Sequence, residues 1–442
     1  MVPVDLTGGR ITVPGMVTGM VWSSRVGWSS LVGWTSRVKW RGRLAVGVLV
    51  LGLAVPTPTA VAAPAGLSVQ APRVLSTLGA DGDATDPLIA SSRDSYFFST
   101  ATNLVHSPPP TGGVYYKRWV RAEARTVLIS KQGSARIGGP FRLLGLGVFS
   151  AAKPMVPQDT NSATDIYMSG IRGAPAVLLS RAPDGRAGNG ATADFTQATK
   201  TGWFATASAA TNLVAGDRNG KTDIFGYSAA GADPVLVSAR PDGGSSAGGA
   251  RAPSMSGDGR YVTFLSTGSD LVAGMDTDGG AADLFVRDLL TGRTRWLSKA
   301  APPGVSVEAA TLAPDASRVV QRWSDGTVRL TDRVTGIGTG TTTTVAGAAS
   351  FGRQALGGDG RLLAYVSTSG HGMVADLTTG ATRLLTAKAT GGIGNGAEGP
   401  PSLDPNGTAT FSYAVFSSTS TNLVAGDVNG KADVYRVLIQ QP

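Results

Sequence analysis

Apolar and polar positions past residue 66 follow a short-range pattern that predicts strands rather than helices. Tyr261–Ser266, YVTFLS, has the alternation of a half-buried strand. Gly257-Asp258-Gly259 lies just before it. Asp-Gly between apolar runs predicts a tight hairpin, because positive φ costs little there. A strand over 252–256 leads into this turn. Two more follow the polar loop, Asp283–Asp288 (DLFVRD) and 294–298 (TRWLS).

This four-strand order recurs. The stretch 211–225, TNLVAGDRNGKTDIF, returns 210 residues later at 421–435 as TNLVAGDVNGKADVY. Aligned on it, the chain from Leu67 falls into seven units of about fifty residues, the signature of a repeat architecture. Unit one is read at 96–99, 114–119 and 126–130. Unit two is read at 147–150, 165–168 and 176–180, and unit three at 203–206, 223–227 and 234–238. Unit five is eroded, with strands at 318–323 and 327–331 and a Thr-rich one at 341–345. Unit six runs from the Asp359-Gly360 turn through 362–367, 373–376 and 382–386. Unit seven has the turn Pro405-Asn406-Gly407, then 410–417 and 433–438, and stops one strand short.

The missing strand is available at the other end. Residues 71–76, APRVLS, read like the fourth strands TRWLS and PVLVS, and a Gly-Ala-Asp-Gly turn follows at 79–82. A spare first strand and an absent last one fit a ring whose ends share one sheet. The expectation is therefore an all-β fold, a seven-bladed β-propeller of four-stranded blades, closed by an N-terminal strand that completes the last blade.

Composition agrees: 61 glycines, 16% charged residues and 42% apolar residues suit short strands joined by turns. The net charge of +9 is concentrated at the start. Residues 1–62 carry Arg10, Arg25, Arg37, Lys39, Arg41 and Arg43 against Asp5, which leaves 33 basic and 29 acidic residues beyond. That near balance gives no footprint for nucleic acid. The absence of cysteine excludes disulfides, thiolate nucleophiles and Cys-ligated zinc, and two histidines exclude a multi-histidine metal site.

Lys39–Arg43 is a basic patch, 44–55 (LAVGVLVLGLAV) is an apolar run, and Ala60 and Ala62 mark a small-residue cleavage site. Residues 38–62 thus read as a secretory signal peptide, too short in its apolar run to span a membrane comfortably. The expected protein is secreted or held in the cell envelope, without stable membrane insertion after cleavage. Upstream, Trp22, Trp28, Trp34 and Trp40 recur every six residues, a period that fits no helical face. Residues 1–37 are read as an extension upstream of the true start, and 63–442 as the propeller.

The order S-x-D-G-R-x-V-x-F-x-S … D-[IL]-[FY] … D-x-x-T-G … L-S, clearest at 256–266 and 283–298, resembles the TolB-like β-propeller repeats, relatives of the WD-type propellers. The resemblance covers roughly 67–440 and implies fold more than function, because such repeats occur in scaffolds, in peptidase-associated propellers and in many secreted proteins. The chain has no room for a separate hydrolase domain and lacks the extra N-terminal domain of a Tol component.

The polar loop before the third strand repeats acidic residues: Asp159/Asn161/Asp165, Asp217/Asn219/Asp223, Asp276/Asp278/Asp283 and Asp427/Asn429/Asp433. These resemble a shortened calcium loop of FG-GAP propeller repeats, D-x-N-G-D-G-x-x-D, which implies calcium as the one candidate cofactor. The middle acid is missing, and Lys221 and Lys431 stand near its place, so Asx-turns are the competing account. Asp276, Asp278 and Asp283 form the lysine-free set.

His106 and His371 sit in turns with no carboxylate nearby in sequence and read as surface residues. No G-x-S-x-G elbow, Walker loop, dinucleotide fingerprint or H-E-x-x-H helix occurs. Trp119, Trp203, Trp296 and Trp323 could form a sugar platform, but their place in strands favours packing between blades. The functional expectation is a non-catalytic binding or scaffold module for a protein or glycan ligand. The alternatives are a glycan hydrolase or lyase with carboxylates in the central channel, which requires two or more to converge there, and a structural partner in an envelope complex.

Overall fold

The computed structural model describes residues 66–440 except 92–93, 107–112, 121–122, 131–136, 142–145, 171–174, 229–230, 232, 274–279, 300–301, 303, 333, 335–339, 389 and 408–410. The leader, the Trp repeat and the expected cleavage site lie outside the described residues. So do Asp276 and Asp278. Among the described residues, no helix is long and apolar enough to cross a membrane.

The chain opens with two short strands, β1 (Ser68–Val69) and β2 (Arg73–Val74). The first sheet follows as β3 (Ala84–Ser91), β4 (Asp94–Ser99), β5 (Gly113–Val120) and β6 (Glu123–Ser130). The second holds β7 (Ile137–Phe141), β8 (Leu146–Ala151), β9 (Asp165–Gly170) and β10 (Val177–Leu178). The third holds β11 (Thr192–Gln197), β12 (Trp203–Ser208), β13 (Asp223–Ser228) and β14 (Val235–Leu236). The fourth holds β15 (Ala250–Met255), β16 (Tyr261–Ser266), β17 (Asp283–Asp288) and β18 (Arg293–Trp296). The fifth holds β19 (Val307–Leu312), β20 (Arg318–Trp323), β21 (Val328–Asp332) and β22 (Thr342–Thr344). The sixth holds β23 (Ala348–Ser350), β24 (Leu362–Ser367), β25 (Gly372–Asp376) and β26 (Thr382–Leu384). The last holds β27 (Ser402–Leu403), β28 (Phe411–Ser418) and β29 (Asp433–Gln440).

Within each sheet consecutive strands pair antiparallel. The last sheet is completed from the far end of the chain. β1 lies on β29 with Ser68 opposite Gln440, and β2 continues along it with Val74 opposite Tyr435. The strand read at 71–76 is thus reduced to the short β2 on the expected partner, with β1 ahead of it on the same strand. Each sheet packs against its successor, and β27 and β28 pack against β3 of the first.

The fourth strands are shorter than their sequences suggest, for a chemical reason. At Leu179-Ser180 the Ser180 hydroxyl, not a main-chain carbonyl, accepts the Ile166 N–H (3.0 Å) and donates to Asp165 Oδ1 (2.6 Å). Ser238 does the same for Ile224 and Asp223, and Ser298 for Leu284 and Asp283. The ending therefore keeps one main-chain bond, Leu179 N–H to the Ile166 carbonyl (2.8 Å), and replaces the reciprocal one with a side-chain clasp.

Cores lie between neighbouring sheets. One joins Val262, Phe264 and Phe285 of the fourth sheet to Ala205 and Ile224 of the third. Another joins Leu75, Val415 and Val434 to Phe97 and Tyr115 of the first. Stacked ring pairs across the middle strands, such as Phe149–Tyr167 and Phe416–Tyr435, fill them.

Candidate functional site

Two regions gather polar side chains. The first is the repeated stretch 211–225 and its copies. The Thr211 N–H donates to Asn189 Oδ1 (2.8 Å), and Asn189 Nδ2 donates to Thr211 Oγ1 (3.0 Å). The Asn189 N–H donates to Asn212 Oδ1 (2.9 Å). Asn395, Thr421 and Asn422 repeat this, and Asp81 takes the asparagine's place against Thr102 and Asn103. Sequence reading missed these partners. The signal was an Asn-Gly pair ahead of each Thr-Asn, at 189–190 and 395–396. Leu213 and Leu423, next in the stretch, are fully buried.

The acidic sets share one geometry. Asn161 Oδ1 accepts the Ala163 N–H (2.6 Å), closing an Asx-turn, and its Nδ2 bridges Asp165 Oδ2 (2.9 Å) and the Gly188 carbonyl (2.7 Å). Asn219 bridges Asp223 and the Ser246 carbonyl, and Asn429 bridges Asp433 and the Ala80 carbonyl. Their turns close on the N–H groups of Lys221 and Lys431. Burial pushes Asp165 and Asp223 up to about 6, against the Ser and Asn hydrogen bonds that favour the ionised form. Asp433 is raised for the same reason. Asp283 accepts from the Ser298 hydroxyl, and the other two members of its set lie outside the described residues. Among the described residues, no three His, Asp or Glu side chains gather where they could hold one metal ion.

One copy differs. Tyr167 donates its hydroxyl to Asp159, and Tyr435 donates to Asp427 (2.5 Å). The equivalent of these tyrosines beside Asp217 is Phe225. Asp217 is buried, and neither carboxylate oxygen has a hydrogen-bond partner; the Asn219 N–H leans toward the group without reaching hydrogen-bond geometry. Burial raises this carboxyl as well.

The second region lies along the first strands of the third to sixth sheets. Each carries a bulge, between Ala193 and Phe195, Arg251 and Ser254, Val307 and Ala309, and Ala348 and Ser350. Asp194 (φ 27°) and Ala252 (φ 53°) sit in the left-handed region that L residues rarely adopt. These strands enclose a cavity of about 170 Å³ next to one of about 60 Å³. The Arg353 guanidinium reaches Asp194 at 3.9 Å, a loose pair with both side chains partly exposed. In the smaller cavity, Gln197 Oε1, Thr199 Oγ1 and Gln354 Oε1 are enclosed without a hydrogen-bond partner. Asp194 is the single carboxylate among the described residues lining either cavity, where catalysis by paired carboxylates would need a second.

His106 is exposed. His371 is not the surface residue expected from its turn. Its side chain is 25% exposed, and its Nδ1 lies 3.7 Å from Oε1 of the buried Glu398, which also accepts the Gly372 N–H. The pairing of sheets brings together residues 27 positions apart, beyond the reach of sequence inspection. Trp203 and Trp296 pack against one inter-sheet core and Trp323 is buried in another, with Arg329 stacked 4.3 Å from its ring. The Trp119 side chain lies outside the described residues.

No family model matches the chain, and no curated protein matches it in sequence. Among solved structures, the chain is similar to the Myceliophteria thermophila Cps50 (Swd1) β-propeller domain, with 9% identity and a TM-score of 0.44, over 80% of this chain and 99% of that one. It is also similar to a structure from work on two prolyl endopeptidases, with 13% identity and a TM-score of 0.48, over 79% of this chain and 48% of that one, about half its length.

Proposed function

We propose that residues 63–442 form a closed, seven-bladed β-propeller that works outside the cytoplasm as a binding or scaffold module for a protein or glycan. The ring is supported by the seven sheets, their packing in succession, and the return of β1 and β2 to β29. Export is proposed from the apolar run at 44–55 and the small residues before 63. The repeated acidic loops are structural in this reading, held by Asx-turns and Ser clasps rather than by calcium.

The single observation that carries the module reading is the cavity along the first strands. Its one carboxylate among the described residues faces an arginine, and the adjoining smaller cavity encloses Gln197, Thr199 and Gln354 oxygens without a hydrogen-bond partner. That arrangement recognises rather than hydrolyses. Glycan and protein arrays, run beside an assay for released reducing ends or unsaturated sugars, test it. Binding without turnover is expected. Turnover lost in Asp194→Asn would replace the module with an enzyme.

A further inference from the structure

A pocket of about 450 Å³ lies at the acidic loop of the third sheet and shares no residue with the cavities along the first strands. Its size is that of a small-molecule site, and Arg218, Arg240, Asp242, Ser245 and Asp270 line it. The second sheet builds the same loop. Asn219 bridges Asp223 and the Ser246 carbonyl as Asn161 bridges Asp165 and the Gly188 carbonyl. The Arg240 N–H donates to the Gly244 carbonyl as the Ala182 N–H donates to that of Arg186. On this common frame the second sheet carries Thr160, Ala182 and Arg186 where the third carries Arg218, Arg240 and Gly244. The last sheet has Val428 in the place of Arg218. The loop therefore closes without either arginine. Gly244 makes room for one of them, because a Cβ there would meet the Arg240 guanidinium at 2.8 Å.

We infer that this pocket takes an acidic sugar residue, one that carries a uronate or a sulfate ester beside free hydroxyls. Arg218 is exposed, and among the described residues its guanidinium has no partner. A planar fork of donors with no bond to give up suits such an anion. Arg240 keeps its pair with Asp242 (2.9 Å) and still offers the donors of Nη1. The carboxylates read the hydroxyls. Asp242 is well exposed, and Asp270, which accepts from Ser246 Oγ (2.5 Å) and the Ala247 N–H (3.0 Å), keeps lone pairs for a sugar hydroxyl. Ser245 Oγ accepts the Arg218 N–H (3.1 Å), which leaves its own proton to donate. Carboxylates in the wall oppose an anionic chain without hydroxyls, such as an acidic peptide. The site goes beyond the module reading above by adding a second place of binding and a ligand class.

Calorimetric titration tests this with trigalacturonate, its methyl ester, sulfated maltotriose and triglutamate. An anionic sugar should bind about tenfold more tightly than the methyl ester, the worth of one charge-assisted contact. Trigalacturonate in front identifies the uronate as the source of the anion, and sulfated maltotriose in front identifies the sulfate ester. Arg218→Gln should erase the preference without moving the melting temperature, because the side chain is exposed. Arg186→Gln removes the same charge from the matching loop of the second sheet and should change nothing. If Arg218→Gln fails to fold, Arg218→Lys should bind with a narrowed preference, because it keeps the charge and loses the fork. Neither anionic sugar exceeding the methyl ester, triglutamate binding as tightly, or equal losses in the Arg218 and Arg186 variants would overturn the inference. Such a failure would leave the module reading standing, since the cavity that carries it shares no residue with this pocket.

Discussion

Ser76 donates its hydroxyl to Oδ1 of Asp433, 357 residues away, and its oxygen accepts the Val434 N–H. This is the clasp that Ser180, Ser238 and Ser298 make within their own sheets, where donor and acceptor are 15 residues apart. Asn429 extends the equivalence by donating to the Ala80 carbonyl, as Asn161 does to Gly188. The N-terminal segment therefore occupies the place of a fourth strand and of the loop behind it.

Ser76→Ala should cost about 1–3 kcal/mol, since it leaves a buried carboxylate and a main-chain N–H short of a partner. Ser238→Ala should cost a similar amount, and urea midpoints of the two variants provide the comparison. A silent Ser76→Ala beside a costly Ser238→Ala would mean that the two chain ends do not share a sheet.

Phe225→Tyr should stabilise the protein. It supplies Asp217 with the hydroxyl that Asp159 and Asp427 already receive. A buried carboxylate that gains its missing donor should recover about 1–3 kcal/mol, seen as a higher urea midpoint. A lower midpoint would show that the site has no room for the oxygen, and that Asp217 is accommodated in some other way.

Stability should peak near pH 4. Asp165 and Asp223 sit at about 6 when folded, above the ordinary value of 3.8, so the folded state holds protons that the unfolded chain has released between those values. Their contribution is complete below pH 3.8 and fades as the pH rises through 6. Asp288 and Asp376 behave oppositely. Arg260 and Arg361 hold them down to about 2, so their contribution is present above 3.8 and lost as the pH falls toward 2. Melting temperatures recorded from pH 2 to 8 should rise and then decline. A curve still rising between pH 4 and 7 would contradict the cost of ionising the clasped aspartates.

Much of this was legible in the sequence because the repeat samples each rule several times. Asp-Gly turns placed the hairpins, as at Gly259 with φ of +79°, and the orphan Leu-Ser at 75–76 pointed to the shared sheet. The strand ends were misjudged where a side chain takes over one of the ladder's bonds, at Ser180 and Ser238. The candidate cavity was invisible, because its residues come from four sheets that local spacing does not connect. Glu398 beside His371 escaped for the same reason: adjacency between sheets leaves no mark in local spacing.

Calcium should leave the melting temperature unchanged. Asp223, like Asp165, already holds a Ser hydroxyl and an Asn amide, and if Asx-turns hold every copy of the loop, Asp278→Asn should be nearly silent, because asparagine makes the same turn. A rise in millimolar calcium that chelator reverses and Asp217→Asn or Asp278→Asn abolishes would instead make these loops cation sites.

The account stands most directly on the meeting of the two ends, and the absence of native cysteine makes that simple to measure. Ser68 and Gln440 face each other across β1 and β29, both exposed, at the spacing an antiparallel pair allows a disulfide. The double variant Ser68→Cys, Gln440→Cys should lose both free thiols under mild oxidation and gain a reducible increase in urea midpoint. Two thiols that remain titratable in the folded, oxidised protein would contradict the closed ring.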